Sequence, residues 1–330
     1  MQKKDIMPQQ MSALEVKHNK DCSQMEPLVS YCLFTYKQER HISQSVDAVL
    51  AQTYSPLEII ISDDCSSDQS YAIIKERVLA YDGPHRVVIN RNESNLGIGG
   101  HVSFIAGLST GDYIVTVGGD DISSPEHVKM AVDAIQASGG AYMVDFDAST
   151  IDENGHLIHG RRAIRDSFTY NLEDFITDRS KISTFAPGRI IHRDVVDKFP
   201  PIASKCPTED TVFVLRALML GKLCREPINL IQYRRTDSSV SSSANIAQLS
   251  VDGIINQYYA DIEHALANGI LSKMDARRMR RRVALESFKR HAKIQNNKGF
   301  IRAKLARVKI KLYSQLYRLG IYLCPLKDSA

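Results

Sequence analysis

Two short β-branched runs, Leu57–Ile61 and Tyr113–Val117, each lead through turn residues to an acidic pair, Asp63-Asp64 and Asp120-Asp121. Short apolar runs bounded by turn signals are the pattern of strands buried on both faces of a parallel sheet. Ligands of open α/β sheets bind in the crevice beyond the carboxyl ends of such strands. Carboxylates are rarely left in a core without a partner. One acidic pair at a strand end is readily explained as a cap of the following helix. Two pairs at equivalent ends point instead to a site for a cation or for donor groups of a ligand, with helix capping as the competing reading.

The stretch around these runs alternates strand and helix signals. Leu28–Phe34 reads as a strand, and Ile42–Ala51 as a helix with Ile42, Val46, Val49 and Leu50 on one face. Ser66 or Ser67 is placed to N-cap a helix running to about Tyr81. Arg86–Asn90 follows as a strand, Gly97–Leu108 as a helix opened by glycine, and Ser123–Ala137 as a helix with Pro125 in its first turn. Ala141–Phe146 is a fifth strand. Repeated βαβ units predict an α/β fold: a doubly wound, mostly parallel sheet with helices on both faces.

Beyond residue 150 the alternation weakens. Ile151–Ile158, interrupted by Asp152-Glu153-Asn154-Gly155, reads as a hairpin, Glu209–Leu220 as a helix, and Leu230–Arg234 as a short strand. The polar run from Thr236 to Ser243 reads as a loop or lid, and from Ala247 the sequence is helical almost to its end. No apolar run approaches the roughly 18 residues needed to cross a bilayer. The first residues lack the apolar segment of a secretory signal, so an untranslocated, cytoplasmic protein is expected. The six cysteines show no metal-binding spacing and read as reduced thiols. A net charge of +4 hides a division: residues 273–330 hold 17 Lys and Arg against 3 Asp and Glu, while the remainder carries −10. The body and its basic tail are built for different surroundings.

Taken in order, Val29-Ser30, Thr35-Tyr36, Gln52-Thr53-Tyr54, Glu58–Ser62, Asp63-Asp64, Asp68, Asn95-Leu96-Gly97, Gly111–Ile114 and Asp120-Asp121 resemble the family-2 glycosyltransferases. The resemblance covers roughly residues 28–240. It implies the inverting GT-A fold, a nucleotide-sugar donor, a divalent cation and transfer to an acceptor hydroxyl. A pyrimidine base needs an acceptor for its N3–H. Asp64 has the place of that carboxylate, with Thr35 and Tyr36 shaping the base pocket, Asn95 on a loop beside the donor and Glu39 near the nucleotide. Lys37 stands where the family usually has Asn. A UDP-sugar is the expected donor, with a dTDP-sugar as the alternative.

Asp120 and Asp121 resemble the family's acidic metal motif, Asp121 as a direct ligand and Asp120 facing the ribose or a metal-bound water. Hard carboxylate oxygens suit Mn²⁺ or Mg²⁺. Gly118 stands where a longer form of the motif has a further acid. Inversion calls for a base on the acceptor side, and Asp210 in Pro207-Thr208-Glu209-Asp210 has its place, with Glu209 assisting. Near Gln232-Tyr233-Arg234-Arg235 the family often has a His, where this chain has Thr236; Arg234 or Arg235 could instead face the diphosphate, with an ordinary surface Arg pair as the competing reading. A dinucleotide-binding reading of Asn95–Gly100 fails, because the glycines lack the spacing of that fingerprint and lie away from the first strand.

The tail sets basic residues among Ile301, Leu305, Val308, Leu312, Leu316 and Leu319 at helical spacing. A basic amphipathic helix reads as a membrane-surface element; packing against the acidic body is the competing reading, and no nucleic-acid partner is expected. The expected organisation is a polar lead-in over residues 1–27, a nucleotide-sugar-binding catalytic domain over 28–240, and a basic helical extension over 241–330. The expected function is a metal-dependent inverting glycosyltransferase working on a lipid-linked or surface glycan at the inner face of an anionic membrane. Two alternatives are a sugar-phosphate nucleotidyltransferase and a catalytically silent membrane scaffold of the same fold.

Overall fold

The computed structural model describes residues 26–158, 164–236 and 250–296. The chain runs β1 (Val29–Thr35), α1 (Ile42–Leu50), β2 (Leu57–Asp63), α2 (Ser70–Leu79), β3 (Arg86–Arg91), α3 (Gly97–Leu108), β4 (Tyr113–Gly118) and β5 (Ile122–Ser123). It continues with α4 (His127–Ala137), β6 (Ala141–Ile151), β7 (Phe168–Asn171), α5 (Leu172–Asp178), β8 (Ile190–His192) and α6 (Asp194–Asp197). The last elements are α7 (Asp210–Leu220), β9 (Lys222–Arg234), α8 (Val251–Ala267) and α9 (Lys273–Asn296).

Among the described residues these strands form one sheet in the order β3-β2-β1-β4-β8-β6-β9-β5, with β7 paired to β9. The pairs β1/β2, β1/β4, β2/β3 and β6/β9 are parallel; β8, β5 and β7 run against their neighbours. The doubly wound, mostly parallel α/β sheet expected from the βαβ pattern is therefore present.

Side-chain alternation divides the core. Cys32, Ile60 and Ile114 face one cluster with α3, α7, α8 and α9, while Tyr31, Leu33, Ile59, Ile61, Val115 and Val117 face the other with α1, α2 and α4. Strands buried on both faces present no polar face, which is why β1, β2 and β4 read as apolar runs. Their carboxyl ends lie side by side: Asp64 N–H donates to Thr35 O at 2.9 Å, and Gly119 N–H to Phe34 O at 3.0 Å.

Two local expectations are corrected. Helix α2 begins at Ser70, without a cap from Ser66 or Ser67; Asp68 Oδ1 accepts the Ser70 N–H and Glu39 Oε2 the Gln69 N–H. Ser66 instead accepts the Lys37 N–H. Ser123 belongs to β5, and α4 starts at His127. The expected hairpin is present as an Ile151–Leu157 antiparallel bridge. Helices α8 and α9 share the apolar cluster of α7, through Ile254, Tyr258, Ile262, Ala276, Met279 and Val283. The loop beyond Thr236, most of the lead-in and the stripe from Ile301 to Leu319 lie outside the described residues.

Candidate active site

The carboxyl ends of β1, β2 and β4, the loop before α3, the end of β9 and the first turn of α7 carry the site residues the sequence singled out. At the β1 end, Thr35 is buried and Tyr36 is 43% exposed, with Lys37 Nζ 5.1 Å from the Tyr36 ring centroid. Lys37 and Cys65, at the ends of β1 and β2, have φ of 53° and 62°. Left-handed backbone at non-glycine residues costs free energy and concentrates at functional sites. Tyr36 thus offers an open aromatic face between two strained turns.

Asp64 is buried, and its carboxylate accepts the Asn92 amide at 2.7 Å, Leu96 N–H at 2.9 Å and Gly97 N–H at 3.1 Å. Leu96 and Gly97 open α3, whose amides and dipole favour an anion. Asp64 therefore anchors α3 across the sheet end, and Asn95 reinforces the turn through its Oδ1, which accepts the Gly97 N–H at 3.0 Å. Glu39 is turned the other way. Its N–H donates to Asp68 and its carboxylate accepts from Gln69, joining the β1–α1 and β2–α2 loops.

Asp120 and Asp121 close β4. A Cβ placed on Gly118 would lie 2.9 Å from Asp120 Oδ1 and 3.6 Å from Asp121 Oδ2, so both carboxylates converge on that glycine. Burial holds the Asp121 carboxyl well above the usual carboxylate range, and the neighbouring Asp120 charge pushes it further. Asp120 is raised too, chiefly by burial. A cation between them would relieve both effects. Among the described residues no third Asp, Glu, His or Cys joins them. Two carboxylates fit a hard cation whose remaining ligands are donor phosphate and water. The residues present thus fit Mn²⁺ or Mg²⁺.

Two residues that the motifs did not foretell hold this pair. Gln38 Oε1 accepts the Thr35 hydroxyl at 2.8 Å, and its side chain hydrogen-bonds Asp120, linking the β1 end to the acidic pair. Arg234 is 1% exposed. Its guanidinium donates to Asp120 O at 2.9 Å, to Asp152 O and Glu153 O at 3.0 Å and to Gln44 Oε1 at 2.7 Å, while its N–H donates to Asp121 Oδ1 at 3.0 Å. Arg234 is thus an interior clamp on the β4 end and not half of a surface Arg pair.

Asp210 opens α7, half-buried, beside buried Glu209. Burial raises the Glu209 carboxyl well above its usual range, and the Asp210 charge and a hydrogen bond between the two side chains add to it. That hydrogen bond favours the protonated form of Glu209, which donates to Asp210. Arg189 Nη1 donates to Asp210 O at 2.9 Å.

An open aromatic face at the β1 end, an acidic pair at β4 and a carboxylate at a helix start thus gather at the carboxyl edge of an α/β sheet. The chain belongs to glycosyl transferase family 2, whose model matches residues 30–199, just over half of its length. EpsE of Bacillus subtilis, named as a glycosyltransferase, is 28% identical over 138 residues, 42% of this chain and 48% of that protein. The chain thus spans about half of EpsE. The succinoglycan biosynthesis protein ExoO of Rhizobium meliloti is 24% identical over 262 residues, 77% of this chain and 73% of its own. The crystal structure of S. aureus TarS 1-349 in complex with UDP-GlcNAc superposes with a TM-score of 0.54 at 16% identity, over 90% of this chain and 93% of that one. The fold is accordingly of the GT-A type. Membership of this family sets aside the nucleotidyltransferase alternative. No helix among the described residues is long and apolar enough to cross a membrane.

Proposed function

We propose that this glycosyltransferase is metal-dependent and inverting, and moves a sugar from a nucleoside diphosphate, UDP in preference to dTDP, to a hydroxyl of a lipid-linked or surface glycan. The observation that carries the reading is the convergence of Asp120 and Asp121 on Gly118, one strand from the Thr35–Tyr36 pocket. The UDP-GlcNAc bound by TarS and the succinoglycan role in the name of ExoO support donor and acceptor class.

In this reading the base rests on Tyr36, with Thr35, Asp64 and Asn95 around it and Glu39 at the pocket's edge. Asp64 serves two roles, since the α3 amides that hold it also fix the carboxylate that meets the base. Asp121 and Asp120 would hold Mn²⁺ or Mg²⁺, which when bound offsets the charge growing on the leaving diphosphate. The acceptor hydroxyl gives its proton to an Asp210 carboxylate oxygen as its own oxygen attacks the anomeric carbon. The bond from that carbon to the donor phosphate oxygen breaks, and its electron pair leaves with the nucleoside diphosphate. The basic tail would place the enzyme peripherally on the inner face of an anionic membrane, near its acceptor.

Incubating the full chain with a set of nucleotide sugars, with Mn²⁺ or with excess chelator, tests this reading. Consumption of a UDP-sugar with Mn²⁺ and its loss on chelation are expected, as is a fall of about 10²-fold or more for Asp121→Ala. Full activity in excess chelator overturns the metal, and a protein that turns over no donor is the silent scaffold.

A further inference from the structure

An ionic cluster lies under the first turn of α7. Asp145 in β6 is fully buried, and Arg189, just before β8, is 2% exposed, with its Nε 3.2 Å from Asp145 Oδ1. Asp145 Oδ2 accepts the Phe185 N–H at 2.9 Å, so the carboxylate is fixed from two sides. Arg225, fully buried in β9, donates to Asp147 Oδ1 at 2.5 Å; burial raises the Asp145 carboxyl above its usual range, opposed by the charges of Arg189 and Arg225. A buried ion pair is weak evidence for stability, because desolvation offsets much of its Coulombic gain. The cluster is better explained by what it touches.

Two contacts meet at Asp210. Arg189 Nη1 reaches the main-chain carbonyl of Asp210, and Glu209 reaches the Asp210 side chain. Helix α7 has no side-chain cap from its N-cap residue Glu209. Its start is tied instead by Arg189 and by Thr208 Oγ1, which accepts the Asp210 N–H at 3.2 Å.

We infer that the Asp145–Arg189 pair is a positioning device for Asp210: Asp145 orients Arg189, and Arg189 fixes the backbone from which the Asp210 carboxylate projects toward the acceptor. The inference rests on the reading of Asp210 as the base. A general base works only within hydrogen-bond reach of the proton it removes, and a displacement of about 1 Å at a reacting group costs on the order of 10²-fold. Arg189 and Asp145 touch neither donor nor acceptor in this arrangement. Their effect should therefore fall on turnover and leave donor binding alone.

The test is a double-mutant cycle on the full chain, with UDP-GlcNAc, or whichever nucleotide sugar the screen finds to turn over, as donor and water as acceptor. Arg189→Lys keeps the charge and loses the fork that spans Asp145 and the Asp210 carbonyl. It should lower kcat about 10-fold or more, with KM for the donor and the calorimetric Kd of UDP within about twofold of the parent. In an Asp210→Asn background the same change should slow turnover no further. An unchanged kcat in a folded Arg189→Lys protein, or equal losses in both backgrounds, overturns the inference. Should Arg189→Lys fail to fold, Asp145→Asn is read through the same cycle; if neither folds, the pair is a structural brace and the inference is wrong. Asp210→Asn turning over at the parent rate sinks the base reading itself, whatever Arg189 does.

Discussion

His127 is fully buried, with Nε2 2.7 Å from Gly188 O and Nδ1 3.1 Å from the Tyr31 hydroxyl. A carbonyl only accepts, so Nε2 carries the proton and Nδ1 accepts from Tyr31. Burial pushes the His127 pKa down to about 4, only partly opposed by the bond to Gly188. The unfolded chain binds this proton near pH 6.5, so the neutral folded ring favours the native state above that pH. The contribution drains away as pH falls from about 6.5 to 4 and amounts to about 3 kcal/mol over that interval. His127→Gln keeps a donor for Gly188 and does not titrate. Urea unfolding at pH 7 and pH 4 should show a smaller acid loss for the variant, by about that amount; identical acid losses would mean the ring is protonated when folded. Asp64 makes a second residue-scale case. Asp64→Ala removes the acceptor of the Leu96 and Gly97 amides at the α3 start and of the Asn92 side chain, and should cost about 1–3 kcal/mol in urea unfolding while also weakening UDP binding by calorimetry. A stability loss with unchanged UDP affinity would leave Asp64 only as the anchor of α3. The positions of Asp64, Asp120 and Asp121 were legible because motif and strand end coincide at each, and that of Asp210 because its motif opens a helix. Gln38, Arg189 and Arg234 were not legible as supports: a lone Gln or Arg has no periodicity, and its partners lie up to 190 residues away, as Gln44 does from Arg234.

Among the elements, β1, β2 and β4 could be read from sequence because burial on both faces leaves an unbroken apolar run. The strands β6 and β9 reach well past the segments their apolar residues suggest, since Asp145, Asp147 and Arg225 sit inside them. Arg225 pairs with Asp147 across the β6–β9 pair and Asp145 with Arg189 outside it, a compensation invisible in one strand at a time. Helix α2 began later than its serines suggested because Asp68 and Glu39, from two different loops, supply the cap. Helix α3 allows propensity and packing to be set against each other. Helix propensity alone favours Gly99→Ala by about 1 kcal/mol. The added Cβ, however, would lie 2.5 Å from Cys206 O and 3.0 Å from the Ile202 side chain, and a backbone carbonyl does not yield cheaply. Packing should win, with a net loss of about 1–3 kcal/mol in chemical unfolding. Because Asp64 is bonded to the first amides of α3, UDP affinity should fall in the same variant. A stabilised Gly99→Ala protein would show that the 202–206 segment gives way instead.

At the scale of the whole molecule, the acidic body and basic tail meet inside the described structure. Arg278 of α9 pairs with Glu173 at 2.6 Å and Arg280 with Glu263 at 2.6 Å. Exposed pairs of this kind contribute little each; the weight lies in Ala276, Met279 and Val283, all fully buried against the α7–α8 cluster. Helix α9 is therefore a brace of the catalytic unit. The membrane reading then falls on residues 297–330, which hold eight Lys and Arg against one Asp together with the apolar spacing from Ile301 to Leu319. Each basic residue held near anionic lipid contributes about 1 kcal/mol. A chain ending at residue 296 should melt within a few degrees of the parent and keep donor hydrolysis, while failing to sediment with anionic liposomes that capture the full chain. A chain ending at residue 272 uncovers the apolar faces of α5 and α8; it should lose its cooperative melting transition, and donor hydrolysis with it. Liposome capture undiminished by removal of 297–330 would end the membrane reading. Normal melting and hydrolysis by the chain ending at 272 would instead show α9 to be dispensable, and its salt bridges and buried methionine to be incidental to the fold.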